Sequence, residues 1–399
     1  MTAEIIEQAD RVIAKTYKRF PVVFSRGDGC SLVDTEGRSY TDFVAGIAVC
    51  NLGHSHTAIS SAIAAQAQTL THVSNLYYTV PQVELAAWLV KHSFADRAFF
   101  CNSGAEANEA AIKLARKFFN DRGENNRYRI ITMEQSFHGR TMATLSATGQ
   151  DKIKKGFDPV LEGFDYVPFD DVEALRSKID SNTCAVMLEP IQGEGGVRCP
   201  QPGYLKAVRQ LCDDTGVLLI FDEIQTGMGR TAKLFAYEHF DVEPDIMTLA
   251  KALANGLPIG AMLAREQVAD AFGPGAHATT FGGTPLVTAA ALKVCQTLVE
   301  EGVIERGAKA GAYFKEKLLG LKQRHKVILD FRGLGLLIGI QLAINGESLV
   351  KQCLERGFLI NCIQENILRF VPPLIINRRE IDNLIDCLDE LLQNFPDSE

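Results

Sequence analysis

The 399-residue sequence predicts an α/β protein with a large domain built on a mostly parallel sheet and a smaller α/β domain. From about residue 95, short apolar runs alternate with stretches of helical periodicity, which is typical of parallel strands joined by crossover helices. From about residue 295 a second set of strands precedes a final helix. We therefore expect an N-terminal segment (1–55) that packs with the small domain, a large domain (56–294) and a C-terminal small domain (295–399).

Composition and charge argue against nucleic-acid-binding, membrane-spanning, secreted and zinc-binding proteins. The net charge of −8 and the pI near 5.6 argue against a nucleic-acid-binding surface. No apolar run approaches the roughly 20 residues of a membrane span, and the charged N-terminus has no signal-peptide apolar region. The ten cysteines are scattered without a Cys-x-x-Cys pair, as in reduced proteins that hold neither disulfides nor zinc. We expect a soluble cytoplasmic protein without a metal.

The N-terminal region predicts a helix followed by a small sheet. Apolar residues at helical spacing indicate an amphipathic helix packed on the body, and turn signals at 27–29 and 35–38 indicate short strands up to Phe43. His54 and His56 could form a metal pair, but no carboxylate or cysteine is near them in sequence. We interpret them as a surface loop and a helix start. The apolar helix positions are Ile5, Ile6, Ala9, Val12 and Ile13.

The large domain is predicted to bring polar groups to one edge of its sheet. Open α/β sheets bind ligands beyond the carboxyl ends of their strands, so the residues directly after each strand are the candidates for a site. Predicted strands are 97–100, 128–133, 185–188, 217–221, 245–249 and 259–263. The first five are followed by 102–106, by 137–140, by Glu189-Pro190 with 193–196, by Asp222 and by Lys251.

The small domain is predicted to contain strands at 336–343 and within 359–370, followed by a final helix. Asn377 and Glu380 form a capping-box-like helix start. One apolar stripe runs through Ile381, Leu384, Ile385, Leu388, Leu391 and Leu392.

Asp222 and Lys251 are the two charges that most need a functional explanation. Asp222 ends a run of five apolar residues, and Lys251 is the only charge between Ile246 and Ala264. At about 4 Å and an effective dielectric near 20, a carboxylate stabilises a pyridinium by roughly 4 kcal/mol, enough to keep it protonated at neutral pH. An apolar setting lowers a lysine pKa, as attack on an aldehyde requires. A snorkelling surface lysine is the alternative. We predict a site for pyridoxal 5'-phosphate (PLP).

Two other strand ends suit this cofactor. Ser103 and Glu106 resemble a capping box, while Gly104 and Ala105 leave backbone N–H groups able to meet a phosphate, and both interpretations can hold together. Phe137 and Arg140 would ordinarily be core and surface residues, respectively. In a PLP site the ring would lie against the pyridine face and Arg140 would bind a substrate carboxylate.

The sequence resembles the class III aminotransferases of PLP fold type I over nearly its whole length. This resemblance implies a large domain with a mostly parallel seven-stranded sheet covered by helices, and a homodimer with active sites at the interface. Thr279, where the family commonly has Ser, and Thr284, where Asn is common, depart from the pattern. The matching segments are NSGAEANE (102–109), FHGRT (137–141), EPIQGEGG (189–196), FDEIQTG (221–227), LAKA (249–252), TFGG (280–283) and LRFVPP (368–373).

The resemblance also implies roles for individual residues. Lys251 would bond the cofactor and move protons, Asp222 would hold the ring nitrogen, and Gln225 the phenolic oxygen. Arg140, with Thr279 beside it, would bind the carboxylate of the amino donor, and Arg369 that of glutamate. Glu194 would mask Arg369 while the ω-amine reacts. The full cofactor set is Ser103, Gly104, Ala105, Phe137, His138, Asp222, Glu223, Ile224, Gln225, Lys251 and, from the partner subunit, a residue equivalent to Thr280.

The implied reaction moves the δ-amino group of N2-acetyl-L-ornithine to 2-oxoglutarate, giving N-acetyl-L-glutamate 5-semialdehyde and L-glutamate in arginine biosynthesis. Succinylornithine, succinyl-diaminopimelate, ornithine and 4-aminobutyrate remain alternative donors. A nicotinamide-dependent oxidoreductase is a different class that fits poorly, because no Gly-x-Gly-x-x-Gly lies between a strand and a helix. A catalytically inactive PLP-binding scaffold conflicts with the intact Asp222–Lys251 pair.

Overall fold

A computed structural model describes residues 2–393, and within them the largest sheet has seven strands. All neighbouring strands in it are parallel, except that Gly260–Ala264 runs antiparallel to both of its neighbours. The predicted α/β fold class is confirmed. The strand order across the sheet is Arg97–Cys101, Gly260–Ala264, Ile246–Leu249, Leu218–Asp222, Thr183–Leu188, Arg129–Met133 and Phe164–Val167.

Helices cover both faces of this sheet, which explains why its central strands are apolar throughout. Every residue of Thr183–Leu188 and of Leu218–Asp222 is buried, the pattern expected when a parallel strand is covered on both sides. Two 3₁₀ helices, Ala236–His239 and Lys251–Ala254, accompany the α-helices. The α-helices are Thr2–Val12, Thr57–Thr69, Val80–Lys91, Gly104–Asn120, Met142–Ala147, Asp151–Lys154, Val172–Lys178, Tyr204–Thr215, Glu266–Ala269, Pro285–Glu300, Val303–Arg324, Glu347–Glu355 and Arg378–Leu392.

Two smaller four-stranded sheets complete the fold. The strand Phe358–Leu359 pairs in parallel with Ser39–Asp42, so the C-terminal part of the chain extends the N-terminal sheet. This contact supports the expected association of segment 1–55 with the small domain, whose boundaries stay a prediction. The first sheet has the order Phe24–Asp28, Ser31–Asp34, Ser39–Asp42, Phe358–Leu359; the second has Ile328–Leu334, Leu337–Leu342, Ile367–Phe370, Asn361–Ile363.

A left-handed turn, Ala45–Ala48, follows the N-terminal sheet. The φ angles of its four residues are 50°, 64°, 68° and 59°, and only the second residue is glycine. Left-handed backbone is unfavourable for other L-residues because Cβ crowds the following carbonyl oxygen. Asp42 Oδ1 accepts hydrogen bonds from the N–H groups of Val44 and Ala45, both at 2.8 Å, and thereby holds the start of the turn.

Some sequence-based expectations need correction. The N-terminal helix forms and contacts the body through a hydrogen bond between Thr2 and Thr35, but none of its residues is buried and Val12 is 73% exposed, so its packing on this chain is looser than expected. The strands Phe164–Val167 and Ile328–Leu334 escaped prediction because they are edge strands with few fully buried side chains. The expectation that no carboxylate or cysteine lies near His54 is also wrong, because its Nε2 contacts Asp42 Oδ2 at 2.8 Å and its side chain hydrogen-bonds Cys50.

The expected start of the final helix is confirmed. Asn377 and Glu380 form a reciprocal capping box at the start of Arg378–Leu392, and the predicted apolar stripe is buried. Within residues 2–393 no helix is long and apolar enough to span a membrane. The same residues contain no cluster of three side chains suited to hold a metal ion.

Candidate active site

A cavity of about 420 Å³ lies at the carboxyl ends of the central strands. It is within the size range of small-molecule sites and contains residues from all five strand ends that the sequence singled out. Val49, which the sequence did not suggest, and Asn102, to which it assigned no role, also line it. The predicted residues that line it are Ser103, Gly104, Ala105, Phe137, His138, Arg140, Asp222, Ile224, Gln225 and Lys251.

Asp222 is held rigidly at the mouth of its strand. Its Oδ2 accepts a hydrogen bond from Asn108 Nδ2 at 2.8 Å and lies 2.8 Å from His138 Nδ1. Its Oδ1 accepts from the N–H of Ile224 at 3.1 Å. A carboxylate oxygen accepts more than one hydrogen bond, so Oδ1 can take another donor from the cavity. The buried carboxylate is therefore preorganised to bind a cationic or N–H group.

Asn108 is a positioning residue that sequence analysis missed. It is fully buried, and besides Asp222 its amide donates to the carbonyl oxygen of His138 at 2.7 Å and accepts from Thr248 Oγ1 at 2.7 Å. Its polar side chain on the otherwise apolar face of helix Gly104–Asn120 was an available signal. Buried amides are paired in native proteins, so such a residue predicts a partner of the kind found here.

Lys251 lies in the cavity with a free amine. No hydrogen-bond or ion-pair partner for its Nζ occurs among residues 2–393. Burial lowers the pKa of this amine, and the nearby Glu194 opposes the shift. Its φ of 44° is in the left-handed region, where strain in non-glycine residues often accompanies function. The geometry favours a nucleophilic amine, as the sequence predicted.

The start of helix Gly104–Asn120 forms an anion seat. Ser103 caps the helix through a hydrogen bond from the N–H of Glu106 to its Oγ at 3.2 Å. The first N–H groups of a helix have no partner inside it, so those of Gly104 and Ala105 are available to an anion. A Cβ on Gly104 would lie 2.8 Å from Ile224 Cδ1, so only glycine lets the helix start so close to the Asp222 loop.

Glu194, Gln225 and Arg369 form a polar cluster beside Lys251. Glu194 Oε1 lies 2.5 Å from Arg369 Nη1. In this ion pair the arginine side chain is almost fully buried, whereas the glutamate side chain is partly exposed. Burial alone would raise the pKa of Glu194, but Arg369 and Lys251 outweigh it and hold that pKa below its ordinary value. The structure thus places Arg369 beside Glu194, as predicted from the sequence, with the guanidinium masked by the carboxylate.

Phe137 and Arg140 flank the other side of the cavity. The Arg140 guanidinium lies 5.6 Å from the centre of the Phe137 ring, within cation–π range. Arg140 is exposed, and among residues 2–393 it contacts no carboxylate. Its planar fork is therefore free to bind a carboxylate that enters the cavity.

Glu189 is a second buried carboxyl group to which the sequence assigned no role. Its two oxygens accept hydrogen bonds from the N–H groups of Phe137 at 3.1 Å and Gly193 at 3.0 Å. Burial raises its pKa to about 7, with His138 lowering it and Asp222 raising it further. Its position, like that of Asp222, directly follows a strand buried on both faces, and that shared pattern was the available signal.

Five predicted site residues do not line the cavity of the single chain: Glu194 and Arg369, which form the cluster beside Lys251, and Glu223, Thr279 and Thr280. Glu223 turns into the fold, where its carboxylate accepts from Thr226 Oγ1 at 2.8 Å and from the N–H groups of Ala236 at 2.7 Å and Tyr237 at 2.8 Å. Because all these contacts lie away from Lys251, we leave Glu223 out of the binding set. Thr279 and Thr280 line neighbouring clefts instead.

Comparisons with known proteins find relatives that match nearly the whole chain. The family described as aminotransferase class-III matches residues 12–392. An acetylornithine aminotransferase from Caldanaerobacter subterraneus subsp. tengcongensis is 51% identical over 392 residues, which cover 98% of this chain and 100% of that protein. Another from Methanocaldococcus jannaschii is 52% identical over 375 residues, 94% of each chain. An ornithine aminotransferase structure from Toxoplasma gondii has a TM-score of 0.95 at 34% identity, covering 98% of this chain and 95% of that one.

Proposed function

The chain belongs to the class-III aminotransferases, and we propose that it transfers the δ-amino group of N2-acetyl-L-ornithine to 2-oxoglutarate with pyridoxal 5'-phosphate as cofactor. The observation that carries the proposal is the juxtaposition, in one cavity, of the Lys251 amine, which has no partner within residues 2–393, the fixed Asp222 carboxylate and the free N–H groups at the start of helix Gly104–Asn120. The products are N-acetyl-L-glutamate 5-semialdehyde and L-glutamate, as in a step of arginine biosynthesis.

The residues present fit this cofactor. The N–H groups of Gly104 and Ala105, with Ser103, suit its phosphate; Asp222 Oδ1 suits its ring nitrogen; and Phe137, His138 and Ile224 line the same cavity. Gln225 would donate to the phenolic oxygen. When bound, the cofactor supplies an aldehyde that bonds amines and a ring that withdraws electrons from the carbon bearing the substrate nitrogen.

The chain's own groups then divide the work. Asp222 keeps a proton on the ring nitrogen, because Asn108 and His138 hold the carboxylate in place. Lys251, whose pKa is lowered by burial, acts as the base that removes a proton from the substrate carbon and returns it. Apolar walls around both groups exclude water and strengthen these electrostatic interactions.

Two carboxylate-binding arginines would let one site accept two kinds of amine. Arg140 has no carboxylate partner in the described part of the chain and is proposed to bind the α-carboxylate of the amino donor, which presents its distal amine to Lys251. Arg369 is masked by Glu194 while this donor reacts. Glutamate, whose α-amine reacts, would displace Glu194 and bind its α-carboxylate to Arg369 instead.

Sequence identity favours acetylornithine over the alternative donors. The acetylornithine aminotransferases are 51% and 52% identical to this chain, whereas the ornithine aminotransferase of known structure is 34% identical. To test the choice, kcat/KM is measured for acetylornithine, succinylornithine, ornithine and 4-aminobutyrate with 2-oxoglutarate fixed. We expect the highest value for acetylornithine; a clear preference for free ornithine would contradict the proposal.

We also propose a homodimer in which Thr279 and Thr280 complete the partner's site. Exposed apolar side chains are concentrated near these threonines, an arrangement typical of interfaces. Leu76 is 83% exposed and Tyr78 96% exposed, Thr280 lines a cleft with Tyr77, and the carbonyl oxygen of Thr279 accepts from Asn75 Nδ2 at 3.3 Å. Sedimentation of the purified protein tests the dimer.

A cytoplasmic location is the last part of the proposal. It is supported by the ten cysteines, all of which are free in the structure although most are buried. Proteins with many unpaired thiols are typical of reducing compartments. Fractionation of the source cells tests it.

The identity of the cofactor and of the attacking residue can be tested directly. We expect a yellow protein whose visible band disappears on borohydride treatment, after which mass spectrometry finds the reduced cofactor on Lys251. Lys251→Ala should give no tag, while Lys233→Ala, a distant control, should keep it. A colourless protein that takes up no added cofactor, or a tag on another lysine, would refute the assignment.

A further inference from the structure

The side-chain amide of Gln225 lies against the Glu194–Arg369 ion pair and contacts both of its members. Its Nε2 donates to Glu194 Oε1 at 3.4 Å, and its Oε1 accepts from Arg369 Nη1 at 3.2 Å. The carboxylate and the guanidinium are themselves 2.5 Å apart. The three side chains therefore form a closed ring of polar contacts, in which the amide touches both charges.

The same amide lines the cavity that contains Lys251 and Asp222. An amide has two N–H donors and an oxygen with two lone pairs. One N–H can remain on Glu194 while the other points to the proposed cofactor, and the oxygen stays on Arg369. A single side chain can thus contact the carboxylate-binding arginine and the reaction centre together.

Gly193 independently shows that the amide's position is built into the fold. A Cβ on Gly193 would lie 2.4 Å from Gln225 Oε1 and 2.5 Å from its Cδ. The backbone at Gly193 has no left-handed φ, so what a larger residue would disturb here is the position of the amide and not the backbone. Its N–H bonds to Glu189 Oε1 at 3.0 Å, which restrains the loop from moving away.

Arg369 needs a partner that stays when Glu194 leaves. Asn361, with its amide oriented to suit, accepts from Arg369 Nη2 at 2.9 Å, and Gln225 Oε1 accepts from Nη1. These two neutral acceptors lie on different elements, so together they fix the plane of the guanidinium. A bidentate bond to a substrate carboxylate depends on that plane.

We propose that Gln225 is a positioning residue that keeps the Arg369 guanidinium aligned for the glutamate carboxylate after Glu194 has swung aside. This inference rests on the proposed function and adds to it a second task for a residue otherwise expected only at the cofactor. The glutamate half-reaction then depends on Gln225 both at the cofactor and at Arg369. The ω-amine half-reaction depends on it only at the cofactor.

The test compares the two half-reactions one at a time in Gln225→Asn and Gly193→Ala. Asparagine keeps the amide but is too short to reach Arg369, and the methyl group added in Gly193→Ala pushes the amide out of place. Single-turnover rates are followed from the visible band of the cofactor-loaded enzyme. In both variants the glutamate reaction should lose at least about tenfold more in kcat/KM than the acetylornithine reaction, most of it in KM.

Controls separate this idea from its alternatives. Gly320→Ala, whose added Cβ would meet only the Arg324 side chain at 3.7 Å, should leave both reactions unchanged. The absorption spectrum reports folding and the cofactor contact: a shifted band with equal losses in both half-reactions means that Gln225 serves the cofactor alone and overturns the inference. If Gly193→Ala binds no cofactor, Gln225→Asn decides. A wild-type enzyme that reacts with neither substrate refutes the proposed function instead.

Discussion

Arg230 and Arg369 are the two largest fully buried side chains in the described part of the chain, yet their surroundings differ in kind. Arg230 donates to the carbonyl oxygens of Leu336 at 3.0 Å and Pro372 at 2.6 Å, and to the side chain of Asn51. Among residues 2–393, no carboxylate forms an ion pair with it. Arg369 is instead paired with a carboxylate, that of Glu194.

The nature of these partners separates Arg230, which is held by the fold, from Arg369, which is proposed to bind substrate. The acceptors of Arg230 come from the N-terminal region and the small domain and are mostly backbone, so they cannot leave without unfolding. Burial lowers the pKa of Arg230 to about 9, which still leaves it charged at neutral pH. The Glu194 side chain is partly exposed, so another carboxylate can take its place on Arg369. The two arginines are equally buried, but Arg230 stabilises the fold, whereas Arg369 can exchange one carboxylate partner for another.

The largest effect is expected from Arg230→Met. Three buried oxygen atoms would lose their hydrogen-bond donors, and each unsatisfied acceptor costs about 1–3 kcal/mol of stability. Methionine no longer buries a charge, but this gain offsets only part of the loss. The free energy of unfolding in urea should fall by about 3–5 kcal/mol. Arg97→Met, in an exposed pair with Glu266, should change it by less than about 0.5 kcal/mol. A loss below about 1 kcal/mol at Arg230 would contradict a structural role.

Arg369→Lys should act on catalysis more than on stability. A lysine keeps the charge but cannot bind a carboxylate bidentately. We expect kcat/KM for glutamate to fall about 100-fold, and that for acetylornithine by less than about threefold. Single-turnover measurements of each half-reaction check this. Arg230→Lys, where it folds, should affect the two substrates alike; equal losses at Arg369 would remove the distinction between the two arginines.

Acid should distinguish the two sites as well. Because the pKa of Glu194 is lowered, its ion pair adds stability that is complete above the ordinary carboxyl pKa and is lost as the pH falls through the folded-state value. The loss of stability in Glu194→Gln should therefore be constant near neutral pH and shrink in acid. The deficit of Arg230→Met should lack this component. Urea unfolding at a series of pH values measures both, and a Glu194→Gln deficit that grows in acid would reverse the assigned sign.

The smallest effects concern the neutral partners of each arginine. Asn51→Ala removes an acceptor from Arg230 and a donor to the carbonyl oxygen of Met228, and should cost about 2 kcal/mol of stability. Asn361→Ala leaves Arg369 with Glu194 and Gln225 and should cost less than about 1 kcal/mol. Thermal unfolding of the two variants side by side is sufficient. The reverse order would show that the binding arginine is the more rigidly held.

The sequence was most informative where chemistry and burial coincide. Asp222 and Lys251 could be found because a charge at the end of a fully apolar strand has few structural explanations, and the carboxyl ends of parallel strands meet at one edge. Central strands were found for the same reason. Edge strands such as Phe164–Val167 were missed because half-buried side chains alternate weakly over four residues.

Contacts between distant segments set the limit of sequence reasoning. Asn108, Glu189 and Arg230 act through partners that lie far away along the chain, and no local pattern encodes such distances. The sequence also included Glu223 in the cofactor-binding set, although its carboxylate turns into the fold. Adjacent residues at the end of a strand point to opposite sides, so Asp222 can enter the cavity only if Glu223 turns away.

The left-handed turn Ala45–Ala48 has a practical consequence for engineering heat tolerance. Each of its three non-glycine residues is held in a conformation that is unfavourable by about 1–2 kcal/mol. Replacing Ala48 with glycine relieves that strain at the loss of a single methyl group, although a freer denatured chain opposes part of the gain. The strained turn Ala45–Ala48 is thus the first segment in which to seek substitutions that raise the thermal stability of the enzyme.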